Sequence, residues 1–171
     1  MSASSDRLAA EAPSFASKIA AAETREAQIA ALPRPLVFTN GVFDILHRGH
    51  VSYLDHARRL GASLVVGVNS DASARRLGKG GDRPINSLDD RIAVLAALAS
   101  VSLAIAFDED TPLALVLECH PDVIAKGADY TAATTAGAAE VIAAGGRFVA
   151  IPFESAHSTS ALIEKARGYL R

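Results

Sequence analysis

The sequence predicts an α/β fold in which a five-stranded parallel sheet is doubly wound, with helices on both faces. Short runs that are apolar throughout alternate with amphipathic helical stretches, as expected for strands that helices cover on both sides. The chain has 171 residues, enough for one domain with a full hydrophobic core. Hydrophobic residues make up 50% and charged residues 21%, a balance typical of folded domains.

The predicted elements follow in chain order. Residues 1–17 are rich in serine and alanine and weakly periodic, so we expect a disordered tail followed by a single domain over 18–171. A helix is predicted over 18–32, because Pro33 and Pro35 would end it. Strands are predicted at 36–38, 64–68, 103–107, 123–126 and 148–152. Further helices are predicted at 51–60, 88–100, 112–119, 135–144 and 160–169.

Several boundaries have signals of their own. Ser87 and Asp90 have the spacing of a capping box, and Pro112 suits the first position of a helix. Gly145 and the glycine after it would end a helix. The stretch 69–87, with three glycines and a proline, is predicted to be one long irregular loop, and such loops beside strand ends often carry function.

Composition excludes several classes of partner. The net charge of −2 gives no general field that would attract nucleic acid or an anionic membrane. The single cysteine, Cys119, rules out an intrachain disulfide framework, and we expect it to pack as a small apolar side chain. No apolar run approaches the roughly 18 residues of a membrane span, and the N-terminus lacks the pattern of a signal peptide. The expected location is the cytoplasm.

Phosphate-binding chemistry is indicated by TNGVFDILHRGH at 39–50, directly after the first predicted strand. The strand ends at a glycine turn and gives way to a helix, whose free N–H groups and dipole favour an anion. His47 and His50 lie three residues apart, so both rings face the same side of the first turn. Gly49 between them lets a phosphate approach the backbone closely. Parallel sheets bind ligands at such strand ends, where the strand order switches.

Two other interpretations of the histidine pair remain open. The two residues can be ordinary surface histidines, or they can be ligands of zinc. A zinc site needs at least one more ligand, whereas the sequence has no cysteine pair and its other histidines are scattered. Binding of a nucleoside triphosphate accounts for the strand, the glycine turn and the helix together.

These residues also resemble a known family. The block FTNGVFDILHRGH at 38–50 is similar to the signature of the cytidylyltransferase-like nucleotidyltransferases, whose HxGH motif here is 47–50. Further blocks resemble the D-glycero-β-D-manno-heptose 1-phosphate adenylyltransferases. They are VSYL at 51–54, GVNSDAS at 67–73, RL at 76–77, RPIN at 83–86, DEDTP at 108–112, PD at 121–122 and KGADY at 126–130. The resemblance implies a Rossmann-like sheet of the nucleotidyltransferase type.

The resemblance also implies a reaction. AMP would pass from ATP to D-glycero-β-D-manno-heptose 1-phosphate, giving ADP-heptose and pyrophosphate for lipopolysaccharide inner-core or surface polysaccharide synthesis. The attacking phosphate is anionic at neutral pH, so the chemistry needs alignment and charge neutralisation rather than a serine or cysteine nucleophile. The implied cofactor is Mg²⁺, carried mainly by ATP, and the implied assembly is a homodimer. The alternatives are a cytidylyltransferase acting on glycerol 3-phosphate or ethanolamine phosphate, and a non-catalytic nucleotide-binding module.

By the same resemblance, the site residues fall into three groups. The catalytic groups are His47, His50, Lys79 and Arg91. Nucleotide contacts are expected at Thr39, Asn40, Gly41, Phe43, Gly49, Lys126, Gly127, Asp129, Ser158, Thr159 and Ser160. The sugar phosphate is expected at Asp44, Asn69, Asp71 and Arg83, and no residue is named as a metal ligand.

Each of these assignments competes with a structural interpretation. Lys79, in a glycine-rich loop, would close over phosphates or would be an ordinary solvated lysine. Arg91 would face the phosphates or form a surface salt bridge. Asp44 would bind the sugar or cap the backbone, and the hydroxyls at 158–160 would bind phosphate, cap the last helix, or both.

Two positions depart from the pattern of the relatives. Ala128 stands where the family usually has a second glycine, which implies that this backbone position does not need a positive φ. Ile163 stands where many members of the superfamily have arginine, which removes one phosphate-binding cation. The heptose branch tends to lack that arginine as well.

Overall fold

The computed structural model describes residues 12–78, 83–152 and Lys165. Five parallel strands form one sheet in the order β3-β2-β1-β4-β5, so the predicted α/β fold is confirmed. The strands are β1 (Leu36–Gly41), β2 (Ser63–Asn69), β3 (Leu103–Phe107), β4 (Val123–Gly127) and β5 (Arg147–Ile151). All five predicted strands are present, and most extend a residue or more beyond the predicted ends.

The helices connect these strands. They are α1 (Arg25–Ala30), α2 (Arg48–Arg58), α3 (Asp71–Arg76), α4 (Leu88–Ala97), α5 (Leu113–Cys119) and α6 (Ala138–Ala143), with 3₁₀ turns at Ser14–Lys18 and Ala132–Thr134. Of the helix predicted at 160–169, the structure describes only Lys165, which is helical. Within the described ranges, no helix has both the length and the apolar character needed to span a bilayer.

Alternate strand residues face two separate cores. On one face, strand residues such as Val37 and Val66 pack against α2 and α4. On the other face, neighbours such as Phe38 and Val65 pack against α1, α5 and α6. Cys119 lies in this second core, where burial above all raises the pKa of its thiol to about 12, as expected for a packing residue. Both faces of the sheet are therefore covered, as the apolar strands predict.

The N-terminal segment differs from the prediction. Instead of one helix over 18–32, a 3₁₀ turn at Ser14–Lys18 is followed by an extended Ile19, and only Arg25–Ala30 is α-helical. Ile19 forms a parallel bridge with Ala104, and Phe15 and Ile19 pack against the core. This backbone pairing and side-chain burial outweigh the helical tendency of an alanine-rich stretch. Of the predicted tail, residues 12–17 are described; most of them are exposed, and Phe15 packs against the core.

The stretch 69–87 also differs, because it contains the helix α3. Ser70 caps that helix by accepting a hydrogen bond from the backbone N–H of Ser73 at 3.0 Å. The predicted cap of α4 is confirmed, since the Ser87 hydroxyl accepts from the N–H of Asp90. Gly145, with φ of 89°, follows the end of α6 as predicted.

A crevice opens in the middle of the sheet. Strand β1 pairs with β2 from Leu36 to Gly41, but it pairs with β4 only at Val37 and Phe38. The carboxyl ends of β1 and β4 therefore diverge, at the point where successive strands are added on opposite sides of β1. Open parallel sheets bind ligands at such a switch point.

Candidate active site

Two adjoining cavities lie at the carboxyl edge of the sheet. The first, of about 210 Å³, is called here the histidine basin; its lining includes Asp44, His50, Tyr53, Arg83 and Gly127. The second, of about 340 Å³, is called the threonine basin, and its lining includes Asn69, Asp110, Thr111, Thr134 and Thr135. The turn at 40–42, Lys126 and Tyr130 line both.

His47 is the N-cap of α2. Its Nδ1 accepts a hydrogen bond from the backbone N–H of Gly49 at 3.1 Å. Because Nδ1 is an acceptor there, the proton of the neutral ring is assigned to Nε2. The cap thereby fixes which nitrogen donates. Gly49 itself is buried and lines neither basin, and its backbone N–H is taken up by this cap.

His50 stacks on His47, with ring centroids 3.9 Å apart and planes 27° apart. The ring of Phe43 lies at 69° to that of His50, with the two ring centroids 5.5 Å apart. Burial lowers the pKa of His50 to about 4, and the charge of His47 contributes to this shift. A hydrogen bond with the Ile45 backbone raises the pKa, but by less. Near neutral pH His50 is therefore a neutral imidazole, which can donate a hydrogen bond without carrying charge.

This pKa predicts a pH dependence of stability. Between pH 6.5 and about 4 the unfolded chain protonates His50 and the folded protein does not, so the free energy of unfolding should fall as the pH falls through this window. In a His50→Gln variant the fall should be shallower. Urea unfolding at half-unit pH steps measures both slopes, with His56→Gln on the same helix as the matched control. Equal slopes in wild type and His50→Gln would contradict the prediction.

Lys126 places a cation between the two basins. Its Nζ donates to the side-chain oxygen of Asn40 at 2.8 Å and to the Asn40 backbone oxygen at 3.1 Å. It also lies 4.9 Å from the centre of the Tyr130 ring. The ammonium thus holds the ends of β1 and β4 together across the crevice, and it gives both cavities a positive wall.

Asp44 both caps backbone and faces the histidine basin. Its Oδ1 accepts from the N–H groups of Ile85 and Asn86, at 2.8 and 3.0 Å. Its Oδ2 is buried without a hydrogen-bond partner among the described residues. Oδ1 therefore caps the backbone, as one of the two interpretations of Asp44 predicts. Oδ2 is the oxygen left for a hydroxyl of the ligand. The bonded loop also carries Arg83 into the same basin.

Arg91 does not lie where the resemblance implies. Its guanidinium is buried and donates to the backbone carbonyls of Val42, Asn69 and Asn86, at 2.6 to 3.1 Å. It also pairs with Asp71 at 2.7 Å. The side chain is neither a surface ion pair nor part of either basin lining. It joins the loop after β1, the end of β2 and the loop after α3, because these carbonyls offer a charged donor a set of acceptors.

The other predicted site residues lie partly inside and partly outside the two basins. Phe43 lines the histidine basin with φ of 50°, a conformation that a non-glycine residue adopts only under strong constraint. Thr39 is fully buried, and its hydroxyl bonds Tyr53 instead of facing a cavity. Asp129 is exposed outside both linings. Ala128 has no positive φ, as its identity implies. Lys79, Ser158, Thr159 and Ser160 lie outside the described residues.

The sequence analysis missed two tyrosines of the site. Tyr53 follows His50 by one helical turn and enters the histidine basin, although its place on the apolar face of α2 resembles that of a core residue. Tyr130 lines both basins. Its place directly after the predicted strand β4 was the available signal, since loops at strand ends often carry binding residues.

The chain is similar to known proteins over most of its length. Residues 38–165 match the family model for cytidylyltransferase-like proteins. The chain is 58% identical over 155 residues to the D-beta-D-heptose 1-phosphate adenylyltransferase of Bordetella bronchiseptica, covering 90% of this chain and 96% of that protein. It is 53% identical over 139 residues to the bifunctional protein HldE of Pasteurella multocida, covering 81% of this chain but only 29% of HldE.

Solved structures give the same fold. The lipopolysaccharide core biosynthesis protein from Thermoplasma volcanium superposes with a TM-score of 0.59 at 33% identity, over 71% of this chain and 98% of that one. A pantothenate synthetase from Thermus thermophilus, at 22% identity and a TM-score of 0.52, shares the fold over 74% of this chain and 59% of that one. The chain therefore belongs to the cytidylyltransferase-like family of nucleotidyltransferases, alongside the heptose 1-phosphate adenylyltransferase of Bordetella.

Proposed function

We propose that this protein transfers AMP from ATP to D-glycero-β-D-manno-heptose 1-phosphate, releasing pyrophosphate and forming ADP-heptose for lipopolysaccharide or surface polysaccharide. The observation that carries the proposal is the stacked pair of His47 and His50 at the N-terminus of α2. His50 lines the histidine basin, whose wall also carries the Lys126 ammonium, whereas His47 lies behind it and lines neither basin. High identity to an adenylyltransferase of this name, over nearly its whole length, supports the substrate.

The arrangement suits displacement of one phosphate by another. The acceptor phosphate is already anionic near neutral pH, since its second pKa is ~6, so no general base is needed. What remains is to align two polyanions and to neutralise charge on the α-phosphate and the leaving pyrophosphate. Imidazole N–H groups and the N-terminus of α2 provide donors for those oxygens.

The two basins divide the substrates in this proposal. The histidine basin takes the triphosphate, because His50, Arg83 and the glycines at the strand ends offer donors and positive charge. This proposal moves Arg83 and Asp44, which the resemblance assigns to the sugar phosphate, to the nucleotide side. The threonine basin takes the sugar, because hydroxyl, amide and carboxylate side chains suit a polyol and the half-exposed Tyr130 ring offers a face for it. Acceptor and leaving group then approach the α-phosphorus from different sides, as in-line displacement requires.

Mg²⁺ enters with ATP in this proposal and offsets the charge of the triphosphate. The described residues contain no cluster of three groups able to hold a metal, and the histidine basin offers mostly N–H and cationic donors. This chemistry fits a metal whose ligands are largely phosphate oxygens and water. We further propose a cytoplasmic homodimer, and light scattering after size exclusion measures the oligomeric state.

Pyrophosphate release tests the function. The assay crosses ATP or CTP with D-glycero-β-D-manno-heptose 1-phosphate or glycerol 3-phosphate, each with Mg²⁺. Turnover is expected only with ATP and the heptose phosphate. Turnover with CTP and glycerol 3-phosphate would keep the reaction type and overturn the substrate. Nucleotide binding without turnover in any combination would favour a binding module.

A conservative variant tests the division of the basins. Thr111→Val removes a hydroxyl from the threonine basin and keeps the side-chain shape. Loss of one hydrogen bond to the sugar should raise the KM for the heptose phosphate roughly threefold to tenfold and leave that for ATP unchanged. A rise in the KM for ATP alone would place the nucleotide, rather than the sugar, in this basin.

A further inference from the structure

The hydroxyl of Tyr53 lies where β1 and β4 separate. It is 2.7 Å from the Thr39 hydroxyl on β1 and 3.0 Å from the Ala125 carbonyl oxygen on β4. The ladder between these strands ends below that level, at Phe38 and Ile124. The phenol of a third element, α2, therefore joins two strands that no longer bond each other directly.

The direction of these hydrogen bonds can be assigned. A carbonyl oxygen only accepts, so the Tyr53 proton goes to Ala125 and the Thr39 hydroxyl donates to Tyr53. The proton of Tyr53 is thus committed to the protein. Burial also raises the pKa of Tyr53 far above its ordinary range, which removes the phenolate from consideration. Tyr53 therefore has no acid–base part in the chemistry.

The Tyr53 hydroxyl can fix the distances between α2, β1 and β4 at the site. On α2 it follows His50 by one turn, so the two side chains lie on the same face of the helix. Thr39 immediately precedes the turn at 40–42, and Ala125 immediately precedes Lys126. One buried hydroxyl thus connects the helix that carries His50, the turn that lines both basins and the strand that carries the cation.

We propose that Tyr53 is a positioning residue for AMP transfer. Its hydroxyl fixes the distance of α2 from the carboxyl ends of β1 and β4, and the distance between these two strands. It thereby holds His50 and Lys126 at the spacing that the transition state requires. This inference rests on the proposed function. Small misplacements matter here, because an error of about 1 Å in a catalytic group can cost roughly a hundredfold in rate.

Tyr53→Phe tests the inference, because it keeps the ring and removes only the hydroxyl. We expect kcat to fall roughly tenfold to a hundredfold, while the KM for ATP changes less than about threefold, since alignment is lost rather than ground-state binding. Val141→Ala, a core truncation in α6 on the opposite face, is the control for lost stability. If Val141→Ala loses as much activity at an equal loss of Tm, the effect of Tyr53 is merely structural.

A double-mutant cycle asks whether Tyr53 acts through His50. In the His50→Ala background, Tyr53→Phe should cost a clearly smaller factor than in the wild type, because only the positioning of Lys126 is then left to lose. Equal factors in both backgrounds would overturn the proposal. The imidazole resonances of His50 give a readout without turnover, and we expect them to shift in Tyr53→Phe and to stay in place in Val141→Ala. An inactive wild type would instead contradict the proposed function itself.

Discussion

Replacing His50 by alanine should lower kcat for AMP transfer by roughly 10²–10³-fold, the effect of losing one donor that acts mainly in the transition state. His50 stacks on His47 at the head of α2 and lines the histidine basin, so it brings a neutral imidazole to this cavity instead of a full charge. The measurement is steady-state pyrophosphate release, with unfolding by urea as the check on the fold. A variant that unfolds would show that the imidazole is structural.

His47 needs a different comparison, because its ring also caps the helix. His47→Ala should lose a similar factor in kcat and, in addition, about 1 kcal/mol of stability through the missing cap. His47→Asn restores a good N-cap without restoring the imidazole donor. We expect His47→Asn to be as stable as the wild type but to keep the reduced kcat. Recovery of turnover in His47→Asn would mean that the cap alone accounts for this residue.

Replacing Arg91 by methionine should destabilise the protein by about 3–5 kcal/mol, the cost of breaking a buried pair by removing one partner. The methionine fills much of the space but leaves three backbone carbonyls and Asp71 without their donor. Those carbonyls belong to two loops and to the end of β2 around the site, so turnover should fall together with stability. Urea unfolding measures the free energy, and thermal melting should show the same order.

Two companion variants sharpen this comparison. Arg76→Met removes an arginine from α3 that pairs with the exposed Asp110, so the loss should stay below about 1 kcal/mol. Arg91→Lys keeps a positive charge, but a lysine ammonium cannot reproduce the fork of a guanidinium, and most of the loss should remain. A destabilisation by Arg91→Met no larger than that of Arg76→Met would contradict the role inferred for the buried guanidinium.

The strands and the first turn could be predicted from the sequence because their signals are local. An apolar run ended by Gly41 and followed by His47 and His50 specifies a strand, a turn and a helix start within one short segment. The short helix α3 was missed, because six residues are too few to show a helical period, and only Ser70 marked its start.

The roles of Arg91 and Tyr53 could not be predicted, for a different reason. The acceptors of both are mainly backbone carbonyls, and every residue type supplies a carbonyl, so no pattern in the sequence marks them. Arg91 reaches Val42 and Asn69, and Tyr53 reaches Ala125, across distances in the chain that only the fold brings together. In each case the charged or polar side chain could be seen in the sequence, but the backbone carbonyls that it bonds could not.

The bridge between Ile19 and Ala104 has a consequence for handling the protein. β3 lies at the end of the sheet, and the backbone N–H of Ala20 donates to the carbonyl of Ala104 at 2.9 Å. An uncovered edge strand invites pairing with another chain. Removing the residues before β1 would therefore expose unpaired backbone groups of the edge strand β3 and favour aggregation. Every residue that lines the two basins would still be present.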